Sequence, residues 1–181
     1  MTALQLPLET ERVVIRRFTP DDAPDLLSYA GDPAVMAWIP QGTMTVNEMP
    51  NYTAVNTSDE AADFMVVHKR ARRVIGHISF HPWFAENTWE IGWVFHPAYQ
   101  RQGLATEAAR AVMDHAFGVM HIHRLIATCQ PQNPASWRVM EKLGLRREGH
   151  FLRCIYRGDD VWWDEYFYAL LAEEWEKRGK R

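Results

Sequence analysis

The sequence predicts an α/β fold, a mixed sheet with helices packed around it. Three observations predict it. Runs rich in branched and aromatic residues alternate along the chain with stretches of helical period. Three such runs, 64–68, 74–80 and 89–95, follow one another across short connections and suit an antiparallel meander. The third run then leads through a glycine turn and a helix into 124–129, a crossover unit that sets two strands parallel.

The elements follow in order. Val13, Val14, Ile15 and Phe18 mark a first strand, 13–18. Thr19 or Asp21 caps the next helix, with Asp22 near its positive end. Leu26, Leu27 and Ala30 are its apolar positions, and Gly31-Asp32-Pro33 ends it. Residues 34–39 form a short helical piece closed by Pro40, and 45–56 a helix interrupted near its start by Pro50. Residues 64–68 and 74–80 make a hairpin, with the basic run Lys69-Arg70-Ala71-Arg72-Arg73 as its solvated tip. Residues 81–87 loop into strand 89–95, whose ladder Pro97 stops because it has no N–H. Leu104, Ala105, Ala108, Ala109, Val112, Met113, Ala116 and Phe117 share one helical face, and Gly118 supplies a C-terminal cap. After strand 124–129, Asn133 is an N-cap, Pro134 suits the first helical position and Gly144 the C-terminal cap. Ala135, Val139, Met140 and Leu143 form that helix's apolar face. Residues 145–156 and 161–170 are extended and joined by Arg157-Gly158-Asp159-Asp160; 171–177 is a short helix.

The chain has 181 residues, 47% of them hydrophobic, enough for one domain spanning 1–181. A net charge of −3 argues against a general nucleic-acid binder. Cys129 and Cys154 have no metal-ligand or disulfide spacing, and each reads as a small buried hydrophobe. Residues 1–8 lack the charged lead-in and apolar core of a signal peptide, and no apolar run can cross a bilayer. The expectation is a cytoplasmic protein without a metal, membrane or nucleic-acid partner.

The chemistry centres on Gln100-Arg101-Gln102-Gly103-Leu104-Ala105. This turn feeds unpaired N–H groups into the positive end of a helix, where a phosphate or pyrophosphate can bind. Gly103 and Ala105 are small enough to let a ligand approach the backbone. Neither the Walker spacing nor the dinucleotide fingerprint is present, and alone the turn also reads as an ordinary strand-to-helix connection. With Gln100, Gly103 and Ala105 in place, it resembles the acyl-CoA pyrophosphate loop of GCN5-related N-acetyltransferases, Gln/Arg-x-x-Gly-x-Gly/Ala. The resemblance extends along the chain. Leu8-Glu9-Thr10-Glu11-Arg12 with Ile15-Arg16 and Asp22-Ala23 looks like the start of the RimJ/RimL branch. Glu90-Ile91-Gly92, His96 to Ala108, Asn133-Pro134-Ala135-Ser136 and Glu141-Lys142-Leu143-Gly144-Leu145 resemble its central strand and cofactor segments.

That resemblance implies a sheet that splays after the strand ending at Phe95, with the pantetheine arm of acetyl-CoA paired to backbone near Val94 and Phe95. The implied cofactor-binding residues are Val94, Phe95, Gln100, Arg101, Gln102, Gly103, Leu104, Ala105, Thr106, Asn133 and Ser136. Arg138 and Lys142 are either phosphate partners or solvated charges. The implied reaction is direct acetyl transfer from acetyl-CoA to an amine. Glu90 is the candidate base, acting through water, with His77, His81 and His96 as rivals that also read as structural residues. Met140 stands where many relatives place an acidic tyrosine. Ser136 is therefore the candidate partner of the departing sulfur, and Asn133 either fixes the pantetheine or only caps its helix. At pH 7 an α-amine of pKa near 8 is roughly 10% neutral and a lysine amine about 0.04%, so an N-terminal α-amine needs less help from a base. A protein or peptide N-terminus is the expected acceptor. A small amine held by Trp38, Trp83, Phe84 and Trp93, or a sensor that binds acyl-CoA without turnover, are the alternatives. Residues 34–56 and 157–160 are expected to shape the acceptor side. A homodimer is the base-rate expectation.

Overall fold

The strand-forming runs pair into one eight-stranded sheet in this computed structural model, which describes residues 4–178. The strands are β1 (Leu8–Glu9), β2 (Val13–Arg17), β3 (Asp63–His68), β4 (Arg73–Pro82), β5 (Thr88–Phe95), β6 (Arg124–Cys129), β7 (Arg146–Tyr156) and β8 (Trp162–Leu171). Their spatial order is β1-β2-β3-β4-β5-β6-β8-β7, so the last strand in sequence inserts beside β6. Only β5 and β6 pair in parallel, as a strand–helix–strand crossover requires. The helices are α1 (Ala23–Ala30), α2 (Pro33–Met36), α3 (Met49–Asn56), α4 (Leu104–Gly118), α5 (Pro134–Leu143) and α6 (Ala172–Arg178). Among the described residues no helix is long and apolar enough to cross a membrane.

Helices cover both faces. Leu104, Ala108, Val112 and Met113 of α4 pack against Val13, Ile15, Val66, Ile91 and Leu125. On the other face, Leu26 and Tyr29 of α1, Met36 of α2 and Met49 of α3 pack with Phe18, Met65 and Val74. A β-bulge decides which side chains reach which layer. Val66 pairs with Gly76 but Val67 with Val74, leaving Ile75 as the extra residue. Ile75 and Ile78 therefore both join the α4 layer, while Val74 and His77 face α1. A Cβ at Gly76 would lie 2.5 Å from the Val94 carbonyl oxygen, so only glycine fits.

The expected elements are present, with several corrections. Thr19 caps a 3-10 turn, Pro20–Asp22, that leads into α1, and its N–H donates to Asp22 Oδ2 at 2.8 Å. A second such turn, Val46–Glu48, precedes α3, and Pro50 falls in that helix's first turn, where no intrahelical N–H bond is lost. His81 and Pro82 belong to β4, so the loop begins at Trp83. Gly118 is the last residue of α4 rather than its cap, a position taken by Val119; its missing side chain makes room for the Trp175 ring of α6. Ala135 is exposed, because the buried stripe of α5 is Met140 and Leu143. Cys129 is buried, but Cys154 is exposed on β7, where the strand lacks a covering layer. The basic run is exposed at the β3–β4 tip, as its charge density demands.

Candidate active site

The site begins where two strands part. β5 and β6 pair only through Thr88–Arg124, Trp89–Leu125 and Glu90–Ile126, yet β5 runs on to Phe95 and β6 to Cys129. The open edge of β5 has a definite phase. The His96 N–H donates to the Ile75 carbonyl at 2.9 Å and the Trp83 N–H to the Thr88 carbonyl at 2.8 Å, so even-numbered residues of β5 bond to β4. The main-chain groups of Trp93 and Phe95 therefore face the gap. Val94, expected to share the pantetheine pairing, has its backbone committed to β4 and offers the cleft only its side chain.

The gap opens into a cleft of ≈ 790 Å³. Glu90, Val94, Phe95, Gln100, Arg101, Gly103, Leu104, Ala105, Thr106, Asn133 and Ser136 all line it, together with Arg138 and Lys142. Gln102 does not: its side-chain amide turns back and donates to the Ala98 carbonyl at 2.8 Å. Gln100 donates to the Phe95 carbonyl at 2.9 Å and so ties the turn to the end of β5. Arg101 (φ 60°) and Gly103 (φ 78°) are both left-handed, which swings the chain into α4 within a few residues. The first α4 N–H with an intrahelical carbonyl is that of Glu107, bonded to Gly103 at 3.0 Å, and no side chain caps the helix. The N–H groups of Leu104, Ala105 and Thr106 are left for a ligand, at the helix's positive pole.

A brace that sequence reasoning missed holds this turn. Arg12 donates from Nε to Glu107 Oε2 (2.6 Å) and from its guanidinium to the Gln102 carbonyl (2.9 Å), while Thr10 Oγ1 donates to Glu107 Oε1 (2.6 Å). Burial alone would raise the Glu107 pKa, but the Thr10 and Arg12 hydrogen bonds outweigh it and hold the carboxyl below its usual range. The opening motif 8–12 was legible as a family signature, but its partner lies about 95 residues away.

The opposite wall is α5. Asn133 Oδ1 accepts from the Ser136 N–H at 3.2 Å, so Asn133 does cap its helix. The Ser136 hydroxyl hydrogen-bonds Cys129, whose thiol is pushed up to about 11 chiefly by burial; the thiol is neutral at physiological pH and is no nucleophile. Met140 is fully buried, and its apolar side chain takes no part in proton transfer.

The floor is acidic. Glu90 on β5, Thr128 on β6 and Glu165 on β8 share one face of the sheet and line the cleft. Thr128 Oγ1 donates to Glu90 Oε1 at 3.2 Å. Burial raises the pKa of Glu165, the charge of Glu90 raises it further, and a hydrogen bond with Thr128 partly opposes both. Sequence reasoning missed Glu165; the signal was a lone carboxylate in an aromatic strand, Trp163 to Tyr168.

The three rival histidines are engaged elsewhere, and none lines the cleft. His77 is buried against the Tyr29 hydroxyl at 2.9 Å, and burial lowers its pKa. His96 Nδ1 accepts from the Ala98 N–H at 3.1 Å, and the His81 ring lies against the Pro82 carbonyl. Of the aromatic candidates, Trp38 and Trp93 line the cleft, whereas Trp83 and Phe84 pack on each other at 3.8 Å outside it. Trp38 packs on Trp163 at 5.5 Å, and Arg157 lies over the Trp163 ring and donates to the Ile39 carbonyl. The two segments expected to shape the acceptor side therefore meet.

Residues 12–146 match the model of the acetyltransferase (GNAT) domain. The chain is 46% identical over 168 residues to the uncharacterized N-acetyltransferase YnaD of Bacillus subtilis, covering 93% of this chain and 98% of that one. The crystal structure of a GNAT-family acetyltransferase from Bacillus anthracis superposes with a TM-score of 0.87 at 46% identity, over 93% of this chain and 100% of that chain. A shorter match, 29% identical over 85 residues, is to the ribosomal protein uS5-alanine N-acetyltransferase of Escherichia coli; it covers 47% of this chain and 43% of that one.

Proposed function

This chain belongs to the GNAT acetyltransferases, enzymes that take their acetyl group from acetyl-CoA, and we propose that its acceptor is the N-terminal α-amine of a protein or peptide, as in the RimJ/RimL branch. One observation carries the reading: the proton acceptors on the cleft floor are carboxylates, Glu90 and Glu165, with no histidine beside them. Carboxylates suit an amine that already loses its proton near neutrality, and an α-amine of pKa about 8 does so far more readily than a lysine of about 10.4. The local similarity to the uS5-alanine acetyltransferase supports the same acceptor class.

In this reading the N–H groups of Leu104, Ala105 and Thr106 bind the diphosphate, helped by the charges of Arg101 and Lys142. Trp93 and Phe95 pair with the pantetheine amides through main chain. Glu90 takes a proton from the ammonium group, directly or through one water. The freed nitrogen attacks the thioester carbonyl, a C–N bond forms and the C–S bond breaks. The Ser136 hydroxyl hydrogen-bonds the departing sulfur, which takes up the second proton from nitrogen. A thiolate is a fair leaving group, its conjugate acid having a pKa of about 8.5, so a weak donor suffices. Residues 1–181 act as one cytoplasmic domain.

The test is an acceptor screen that follows thiol release from acetyl-CoA. Peptides with free N-termini should be turned over and the same peptides with blocked N-termini should not, even when they carry lysine. The reverse preference sinks the α-amine assignment. The Trp38–Trp163 wall favours a second reading, a small cationic amine, which the same screen detects as turnover of free diamines or amino acids. The exposed side chains of Phe151, Leu152, Tyr156 and Trp162 on the β7–β8 hairpin support a homodimer formed through that hairpin.

A further inference from the structure

We propose that Glu165 and Glu90 work as one unit joined by the Thr128 hydroxyl, with Glu165 as the place where the acceptor's proton comes to rest. The inference rests on the acetyltransferase reading and extends it to a residue outside the motifs of that family's cofactor site.

The argument starts from register. Glu90 lies opposite Ile126 on β6, and Thr128 lies opposite Phe167 on β8, so Glu90, Thr128 and Glu165 stand on the same face of three adjacent strands. All three line the cleft. The Thr128 hydroxyl donates to Glu90 at 3.2 Å and is also hydrogen-bonded with Glu165. A hydroxyl has one proton to donate and two lone pairs with which to accept. It therefore satisfies both carboxyls only if one is ionised and the other protonated. Two equivalent arrangements exist. In one, protonated Glu90 donates to Thr128, whose own proton goes to ionised Glu165. In the other, every proton has shifted one place along the chain.

The proton accounting closes. With both carboxyls ionised, the ammonium of the acceptor transfers one proton to Glu90 and leaves a neutral amine. Glu90 passes that proton to Thr128 oxygen as the Thr128 proton passes to Glu165. Glu90 is ionised again and faces the reacting nitrogen, while the proton is held on β8 until solvent removes it after turnover. The second nitrogen proton leaves with the thiol, as above. The raised affinity of Glu165 for a proton gives the transfer its direction: the more buried carboxyl keeps the proton. The groups facing Glu165 are Glu90 from β5, Cys129 from β6 and Cys154 from β7. Both thiols are held neutral, so Glu90 is the charge that couples to it.

The experiment combines titration and kinetics on the full chain. Carboxyl carbon-13 resonances of Glu90 and Glu165 are followed against pH in the wild type and in Thr128→Val, without substrate. The wild type should show two coupled steps split by more than about one pH unit, the upper one above the ordinary carboxylate range. Thr128→Val should change both steps. In parallel, Glu165→Gln should move the acid limb of the kcat/KM profile and lower kcat, with KM for acetyl-CoA unchanged. Independent titrations that Thr128→Val leaves alone, or a Glu165→Gln profile superimposable on the wild type, overturn the proposal while leaving the acetyltransferase reading intact. A wild type that releases no thiol with any amine overturns that reading, and the proton route with it.

Discussion

At the scale of single residues, the site divides between groups that move protons and groups that only place them. Glu90 accepts from Thr128 and opens onto the cleft. Glu90→Gln is expected to lower kcat about 10²-fold, the low end for a lost general base because an α-amine needs little help. Ser136→Ala removes one hydrogen bond to the sulfur, worth roughly tenfold in rate. Steady-state kinetics and calorimetry should show acetyl-CoA affinity retained in both; unchanged rates in both remove them from the mechanism. Glu165 also makes a pH-dependent statement about folding. Burial first, and then Glu90, raise its folded pKa above the unfolded value. Its favourable contribution is therefore complete below the unfolded carboxylate pKa and is lost as pH rises through the folded one. Glu165→Gln should thus gain stability over the wild type at pH 8 relative to pH 4 in urea melts, and a difference of opposite sign contradicts the assigned shift. Glu90, Asn133 and Ser136 were legible because each belongs to a local motif. Glu165 was not, because its partners come from β5 and β6 through strand register, which one strand's own residues do not encode.

At the scale of elements, caps and punctuation were the readable part. Asn133, Pro134 and Gly144 bound α5 where their backbone preferences place them. The reading failed where a partner decided the outcome. Gly118 is helical because Trp175 fills the space beside it, and Ile75 is bulged because β3 lacks a matching residue. The cofactor turn shows both cases: Gly103 was evident, its brace was not. Gly103→Ala keeps ample room, the nearest side-chain atom being 3.6 Å away on Arg12, but must hold φ at 78°. It should cost about 1–2 kcal/mol by denaturant unfolding and weaken acetyl-CoA binding. Arg12→Ala frees Glu107 and the Gln102 carbonyl together. The half-exposed brace contributes ~1 kcal/mol after solvent screening, so the dissociation constant for acetyl-CoA should rise about fivefold, with kcat at saturation unchanged. A fall in kcat at saturation would show that the brace acts on chemistry rather than on the turn.

At the scale of the whole molecule, the α/β class and the parallel crossover were legible, but the strand order was not. β8 lies between β6 and β7, a pairing set by contacts more than 35 residues apart that no local pattern announces. The same arrangement leaves β7 at the sheet's edge with large apolar side chains in solvent, Leu152 at 71% exposure among them. Sedimentation equilibrium should find a dimer for the wild type and a monomer for Leu152→Asp, with the monomer still folded by circular dichroism. A wild-type monomer at high protein concentration excludes the hairpin as a mating surface.

The half-open edge of β5 has a final consequence. Peptide groups are common to every residue except proline, so the socket they form is nearly immune to mutation, and drift along this strand leaves the grip on the acyl carrier untouched. The α2 side, built from side chains alone, has no such insurance. Descendants of this scaffold can exchange one recipient for another there without relearning how to hold the donor.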